Sequence, residues 1–147
     1  MKPGRILAVD AGRKRCGIAV TDPARIVATG LDTVPTASLA QYVASYVARE
    51  PVLLIVVGEP HTLAGEASES ARFIEPALAR LRKAVPGIAI ERFDERFTSV
   101  LAHRAMLDGG LRRDARRDKA LVDKISATII LSDFLESRRY KELEPTL

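Results

Sequence analysis

The chain has 147 residues, 47% of them hydrophobic and 5% aromatic, enough for one packed domain; this balance excludes disorder and leaves no room for two ordinary domains. Its longest apolar run, Val52 to Val57, is far short of the roughly 18 residues that span a bilayer, so no membrane role is expected. The formal net charge of +4 is compatible with a polyanionic partner without establishing one. Cys16 is the only cysteine, which excludes an intrachain disulfide and suits a reducing compartment. Met1 to Arg5 leads into a strand-like segment with no apolar signal region, so a cytoplasmic protein is expected.

In chain order, Ile6 to Asp10 reads as a short buried strand ending on an acid, and Ala11 to Arg15 as a turn. Cys16 to Val20 forms a second strand, broken at Thr21-Asp22-Pro23, and Ile26 to Val34 a third, closed by Pro35. Tight turns between these segments predict an antiparallel meander. Ser38 to Arg49 then takes helical spacing through Leu39, Tyr42, Val43 and Val47. Val52 to Val57 is an uninterrupted apolar run, as in a strand covered on both faces. A loop over Gly58 to Gly65 precedes a long helical stretch with Ile74, Ala77, Leu78, Leu81 and Val85 on one face; Pro76 marks a kink or break within it. Ile88 to Phe93 is the fifth strand, and helices over Ser99 to Asp108 and Lys119 to Ser137 finish the fold. The expectation is an α/β domain over residues 1–147: a five-stranded mixed sheet, three antiparallel strands and then parallel ones, flanked by helices.

Ligand sites in such sheets lie at the carboxyl ends of the central strands. That rule selects Asp10, Glu59 and the Asp94-Glu95 pair. Asp10 follows four apolar residues and precedes Gly12, which lets backbone or phosphate approach closely; a turn-forming acid at a strand end would look the same. On the last helix, Ala120, Asp123, Ala127, Ile130 and Phe134 share one stripe, which places an acid on a face that packs against the sheet. A buried carboxylate needs a cation or hydrogen bonds. Lys119 or Lys124 would serve, and so would a metal shared with the sheet acids. Converging carboxylates without histidine or cysteine suit hard ions, Mg2+ or Mn2+, which promote phosphodiester hydrolysis. His61 and His103 lack ligand spacing and read as surface residues.

The segment Leu111 to Lys119 carries Arg112, Arg113, Arg116, Arg117 and Lys119 just upstream of Asp123. With Arg13, Lys14 and Arg15 in the first turn, it would form two sides of a nucleic-acid groove, its cations placing phosphates that the acids alone would repel. No aromatic residues interleave the basic ones, so base stacking is not indicated.

These motifs resemble one family. Ile6-Leu-Ala-Val-Asp10-Ala-Gly12 with Gly17-Ile-Ala-Val20 looks like the first hairpin of the YqgF, or RuvX, family. Val56-Val57-Gly58 with Pro60, Asp94-Glu95-Arg96-Phe97-Thr98-Ser99 and Val122-Asp123-Lys124 match its later motifs in order, so the resemblance spans Arg5 to Ser137. It implies an RNase H-like fold and a nuclease that matures the 5′ end of pre-16S rRNA, resolves Holliday junctions, or both. It also implies Asp10, Glu95 and Asp123 as the acidic triad; Arg96 and Lys124, each next to one of these acids in sequence, join the basic residues expected to bind nucleic acid. Two departures stand out. Gly58-Glu59-Pro60 replaces the usual Gly-Leu-Pro, so Glu59 competes with Glu95 as a metal ligand, and Leu63-Ala64-Gly65 lacks the usual loop aspartate. Two other readings stay open: a non-catalytic nucleic-acid-binding domain of the same fold, and a phosphotransferase whose phosphate hairpin is Asp10-x-Gly12 with Gly17. The partner is nucleic acid, and the protein is a monomer or a homodimer.

Overall fold

The computed structural model describes residues 2–59, 71–94 and 119–147. Strands β1 (Arg5–Ala11), β2 (Arg15–Thr21) and β3 (Ala28–Pro35) come first, followed by a 3-10 turn (Thr36–Ser38), helix α1 (Leu39–Arg49), β4 (Val52–Glu59), α2 (Ala71–Ala84) and β5 (Ala89–Asp94). Helix α3 (Lys119–Glu136), helix α4 (Arg138–Leu143) and a second 3-10 turn (Glu144–Thr146) close the chain. The five strands form one sheet in the order β3-β2-β1-β4-β5. The β1–β2 and β2–β3 pairs are antiparallel, and β1–β4 and β4–β5 are parallel. This is the mixed sheet expected from the meander and the two crossovers.

Period-two alternation divides the sheet into two cores. Leu7, Val9, Ile18, Ile55 and Val57 point to one face and pack with Leu39 and Val43 of α1 and Ile74, Leu78 and Leu81 of α2. Ile6, Ala8, Ala19, Leu54 and Val56 point to the other and pack with Ala127, Ile130, Leu131 and Phe134 of α3 and Tyr140 of α4. β1 from Ile6 to Val9 and β4 from Val52 to Val57, covered on both sides, are therefore apolar at every position. Phe134 is fully buried, edge-on to Phe93 of β5 with ring centroids 5.4 Å apart.

Three local features depart from the sequence expectation. The third strand begins at Ala28 rather than Ile26, because the Asp22 carboxylate accepts the amides of Ile26 (2.7 Å) and Val27 (2.8 Å) and ties them into a turn. These amides hold the Asp22 carboxyl below its ordinary value, Val27 above all. Within that turn Arg25 takes a left-handed φ of 59°, and its guanidinium donates to the Gly4 carbonyl at 2.8 Å, fastening the N-terminal segment. α2 continues through Pro76, which removes one helix amide without ending the helix. The last expected helix ends at Glu136, and Ser137, in extended conformation, starts a further short helix. That residue caps α4, its side chain accepting the Tyr140 amide, and Tyr140 closes the core beside Phe134. The expected helix over Ser99 to Asp108 and the loop beyond Glu59 lie outside the described residues. Among the described residues no helix is long and apolar enough to cross a membrane.

Candidate active site

Asp10 has the same strand parity as Ile6 and Ala8, so it belongs to the sheet face that α3 covers. Register then defines the row in which it stands. Asp10 pairs with Gly17 of β2 on one side and Gly58 of β4 on the other; Gly17 pairs with Thr33 of β3, and Gly58 with Phe93 of β5. Across the full width of the sheet this row reads Thr33–Gly17–Asp10–Gly58–Phe93. The only carboxylate in it is flanked by two residues without side chains. Asp10 is 6% exposed.

The amino end of α3 lies across the same row. Thr33 Oγ1 donates to the Ala120 carbonyl at 2.5 Å. A Cβ placed on Gly17 would collide with the Asp123 carbonyl, so the helix backbone rests directly on the glycine. Gly17 is thus the seat that brings Asp123 to the strand beside Asp10. The Asp123 side chain is 27% exposed and accepts from Arg15 Nε at 3.2 Å. Arg15 precedes Gly17 by two residues on β2 and so stands on the same face.

Beneath this face is Cys16, fully buried, with Sγ 3.5 Å from Thr36 Oγ1. Burial pushes its thiol up, and the Asp10 and Asp123 carboxylates add to that, while hydrogen bonds with Thr36 and Gly12 oppose it. Both acids therefore act on one buried point. Thr36 also donates to the Gly12 carbonyl at 2.8 Å, which fixes the β1–β2 turn that carries Arg13 and Lys14. Among the described residues no group of three or more acids, histidines or cysteines is assembled to hold an ion, and two of the three expected acids stand on one face.

A buried strand-end acid beside a helix-borne acid in a β3-β2-β1-β4-β5 sheet is the arrangement on which the comparison with known families turns. Residues 4–137 match the family described as RuvX, Holliday junction resolvase. The chain belongs to the RuvX family. This RuvX-family chain is 56% identical over 136 residues to a protein of Phocaeicola vulgatus named "Putative pre-16S rRNA nuclease", the match covering 92% of this chain and 98% of the relative. A Flavobacterium johnsoniae protein of the same name is 46% identical over 136 residues, covering 92% and 99%. The fold is similar to that of Thermus thermophilus RuvC solved with a Holliday junction substrate, with TM-score 0.58, 17% identity, and coverage of 90% of this chain and 95% of that one. The RNase H-like fold and the nuclease class expected from the motifs both stand on these likenesses.

Within this RuvX-family chain, the other expected residues fall as follows. Arg13 and Lys14 are exposed at the tip of the β1–β2 turn, at the same end of the sheet as Asp10. Lys124 lies on α3, its side-chain stem above Gly30, and lines a recess of about 200 Å³ with Asp32, Thr33, Ala120 and Leu121. Glu59 ends β4 in register with Asp94 of β5. Lys119 is the first residue of α3. Glu95, Arg96, Arg112, Arg113, Arg116, Arg117, His61 and His103 lie outside the described residues.

Sequence reasoning missed two roles. Arg15, assigned to the nucleic-acid groove, also pairs with Asp123. The signal available was weak: Arg15 and Gly17 share strand parity, but nothing in the spacing joins a strand residue to a helix residue 108 positions away. The other is Gly17, whose role as the helix seat depends on that same long-range contact.

Proposed function

We propose that this chain is a single-domain, divalent-metal-dependent nuclease of the cytoplasm, acting on the 5′ end of pre-16S rRNA, with branched DNA as its second substrate class. The observation that carries the reading is the placement of Asp10 and Asp123 on one sheet face, with the α3 backbone at Asp123 seated on Gly17, the strand neighbour of Asp10. The rRNA substrate is favoured because the relatives named for it match at about half identity over nearly their full length, whereas the likeness to RuvC speaks for the fold.

The donor set fits a hard divalent ion: carboxylate oxygens, no soft ligand, and a buried acid that gains from a nearby cation. Asp10 and Asp123 would hold it, and Glu95 would complete the set. Glu59, which ends β4 in register with Asp94, is the alternative third ligand. Bound there, Mg2+ or Mn2+ would supply the positive charge that activates water and steadies the leaving oxygen in phosphodiester hydrolysis. Asp10 orients that charge from a rigid strand end. Arg13 and Lys14, with Arg96, Arg112, Arg113, Arg116, Arg117, Lys119 and Lys124, would hold the phosphates on either side of the acids.

The test is a cleavage panel of precursor rRNA 5′ ends, structured RNA and four-way DNA junctions, with Mg2+, Mn2+ or EDTA. Asp10→Asn and Asp123→Asn are each expected to lower metal-dependent cleavage by at least about 100-fold, beyond the loss typical of an outer-shell partner. Undiminished metal-dependent cleavage by pure Asp10→Asn protein would overturn the reading. Binding without turnover by the wild type would favour a non-catalytic nucleic-acid-binding domain.

A further inference from the structure

We infer that Arg15 is an exchange residue: it and a divalent cation compete for the Asp123 carboxylate, and the guanidinium displaced by the ion takes a phosphate of the bound nucleic acid. The inference rests on the metal-dependent nuclease reading above and adds a residue and a coupling to it.

The contact between Arg15 and Asp123 is built for exchange rather than for permanence. It uses one guanidinium nitrogen, Nε, at 3.2 Å, longer than the roughly 2.7 to 2.9 Å of a strong charge-assisted bond and without the two-pronged geometry that makes arginine pairs tight. Both side chains reach solvent, Arg15 at 39% and Asp123 at 27%, so the pair holds weakly against a competitor. A permanent structural arginine in this fold looks different. Arg25 is 5% exposed and donates from one nitrogen to the carbonyls of Lys2 and Gly4.

Position decides where the displaced guanidinium goes. Arg15 begins β2 at the foot of the turn that holds Arg13 and Lys14. The Thr36–Gly12 hydrogen bond anchors that turn, and Arg15 itself is in register with Pro35. The backbone of Arg15 therefore stays in place while its long side chain changes partner. A cation engaged by Asp123 consumes the negative charge that holds Arg15 and repels the guanidinium. The nearest unmet demand for positive charge is then the phosphate that Arg13 and Lys14 already attract. Nucleic-acid affinity and metal occupancy are coupled through this one side chain.

The coupling is measurable without cleavage. Wild type, Arg15→Gln and Arg15→Lys would be titrated with Mn2+ alone, followed by calorimetry, and with a fluorescein-labelled RNA stem-loop and a labelled four-way DNA junction, followed by anisotropy. The nucleic-acid titrations would be run in Ca2+ and in EDTA over a range of salt. Arg15→Gln should bind Mn2+ roughly two- to five-fold more tightly than wild type, the scale of a partly exposed ion pair. In Ca2+ it should bind the probes more weakly, with a salt slope lower by about one phosphate contact; in EDTA its affinity and slope should match wild type. Arg15→Lys, which keeps the charge, should recover most of the Ca2+-dependent affinity. An Arg15→Gln effect of equal size in Ca2+ and EDTA would overturn the exchange, since it would mean that Arg15 contacts phosphate whether or not the ion is there. No gain in Mn2+ affinity in either variant would do the same. Wild-type protein that binds no Mn2+ would instead overturn the metal-site reading on which the exchange depends, so the two failures are separable.

Discussion

Gly17→Ala offers a sharp test of how the two acids are brought together. A Cβ at this position would overlap the Asp123 carbonyl and lie 3.1 Å from the Lys124 amide nitrogen. All of these are helix backbone atoms, so no side-chain rotation relieves the clash. The amino end of α3 must retreat by roughly an ångström or more, at a cost of about 1–3 kcal/mol in overpacking. At about 2–4 °C per kcal/mol for a chain of this size, the melting temperature should fall by roughly 2–12 °C. The larger effect should be on the reaction, where a misplacement of about 1 Å costs on the order of 100-fold. Gly30→Ala is the matched control. It lies under the same helix, but its Cβ would meet the Lys124 side chain at 2.7 Å and Thr128 Oγ1 at 3.1 Å, groups able to turn aside. Thermal melts and single-turnover cleavage of an rRNA precursor would compare the two. If Gly17→Ala kept wild-type kcat, or if Gly30→Ala lost as much, the seating of Asp123 on Gly17 would be refuted as the source of the site's geometry.

Other consequences can be checked in the same preparations. Phe134→Ala, emptying a fully buried ring site against Phe93 and Tyr140, should destabilise the fold by about 3–5 kcal/mol in chemical denaturation. Replacing Arg13 and Lys14 together by glutamine should lower the salt slope of RNA binding by about two while leaving kcat at saturating substrate near wild type; an unchanged slope would take these exposed residues off the substrate path. Cys16, buried and with its thiol pushed up, should react with a disulfide reagent at neutral pH only as fast as the protein unfolds; fast labelling of native protein would contradict this. Because the folded thiol is held neutral, its contribution to stability is complete below the ordinary thiol pKa and is lost as pH rises through the raised folded value. Asp22 has the opposite sign: its carboxyl is lowered by the Val27 and Ile26 amides, so its contribution is present above about pH 4 and is lost as pH falls through the folded value. Carboxyl-resolved NMR titration should place Asp22 below the ordinary aspartate range.

Much of the architecture was legible because each segment answers to a local rule. The apolar runs at Ile6 to Val9 and Val52 to Val57 are buried on both faces, and the stripe through Ala127, Ile130 and Phe134 is the buried face of α3. Asp10 and Asp123 could be selected because an acid interrupts an otherwise apolar pattern. Errors arose where a side chain overrides the local signal. Ile26 and Val27 look like strand residues, yet the Asp22 carboxylate captures their amides and leaves both side chains exposed. Ser137 ends α3 as expected, but its side chain also caps α4, an additional helix. Ala120 falls on the α3 stripe but is exposed, and it meets the sheet through its backbone carbonyl, which accepts from Thr33. The Arg15–Asp123 pair joins segments that meet only when the sheet and α3 have packed, so nothing local in the sequence announces it.

The course of α3 has a mechanical consequence. Its near end rests on β2 and β3 through Gly17 and Thr33, and its far end is anchored beside β5 by Phe134 against Phe93. Asp123 and Phe134 are about 16 Å apart along the helix axis, given the helical rise of roughly 1.5 Å per residue. Displacing Asp123 by about 1 Å about the aromatic end is therefore a tilt of only about 3–4°. The helix works as a lever whose fulcrum lies in the core and whose tip carries Asp123. A packing error at Phe134 too small to open the apolar face beneath Ile130 and Leu131 is thus enough to unseat Asp123 from Gly17.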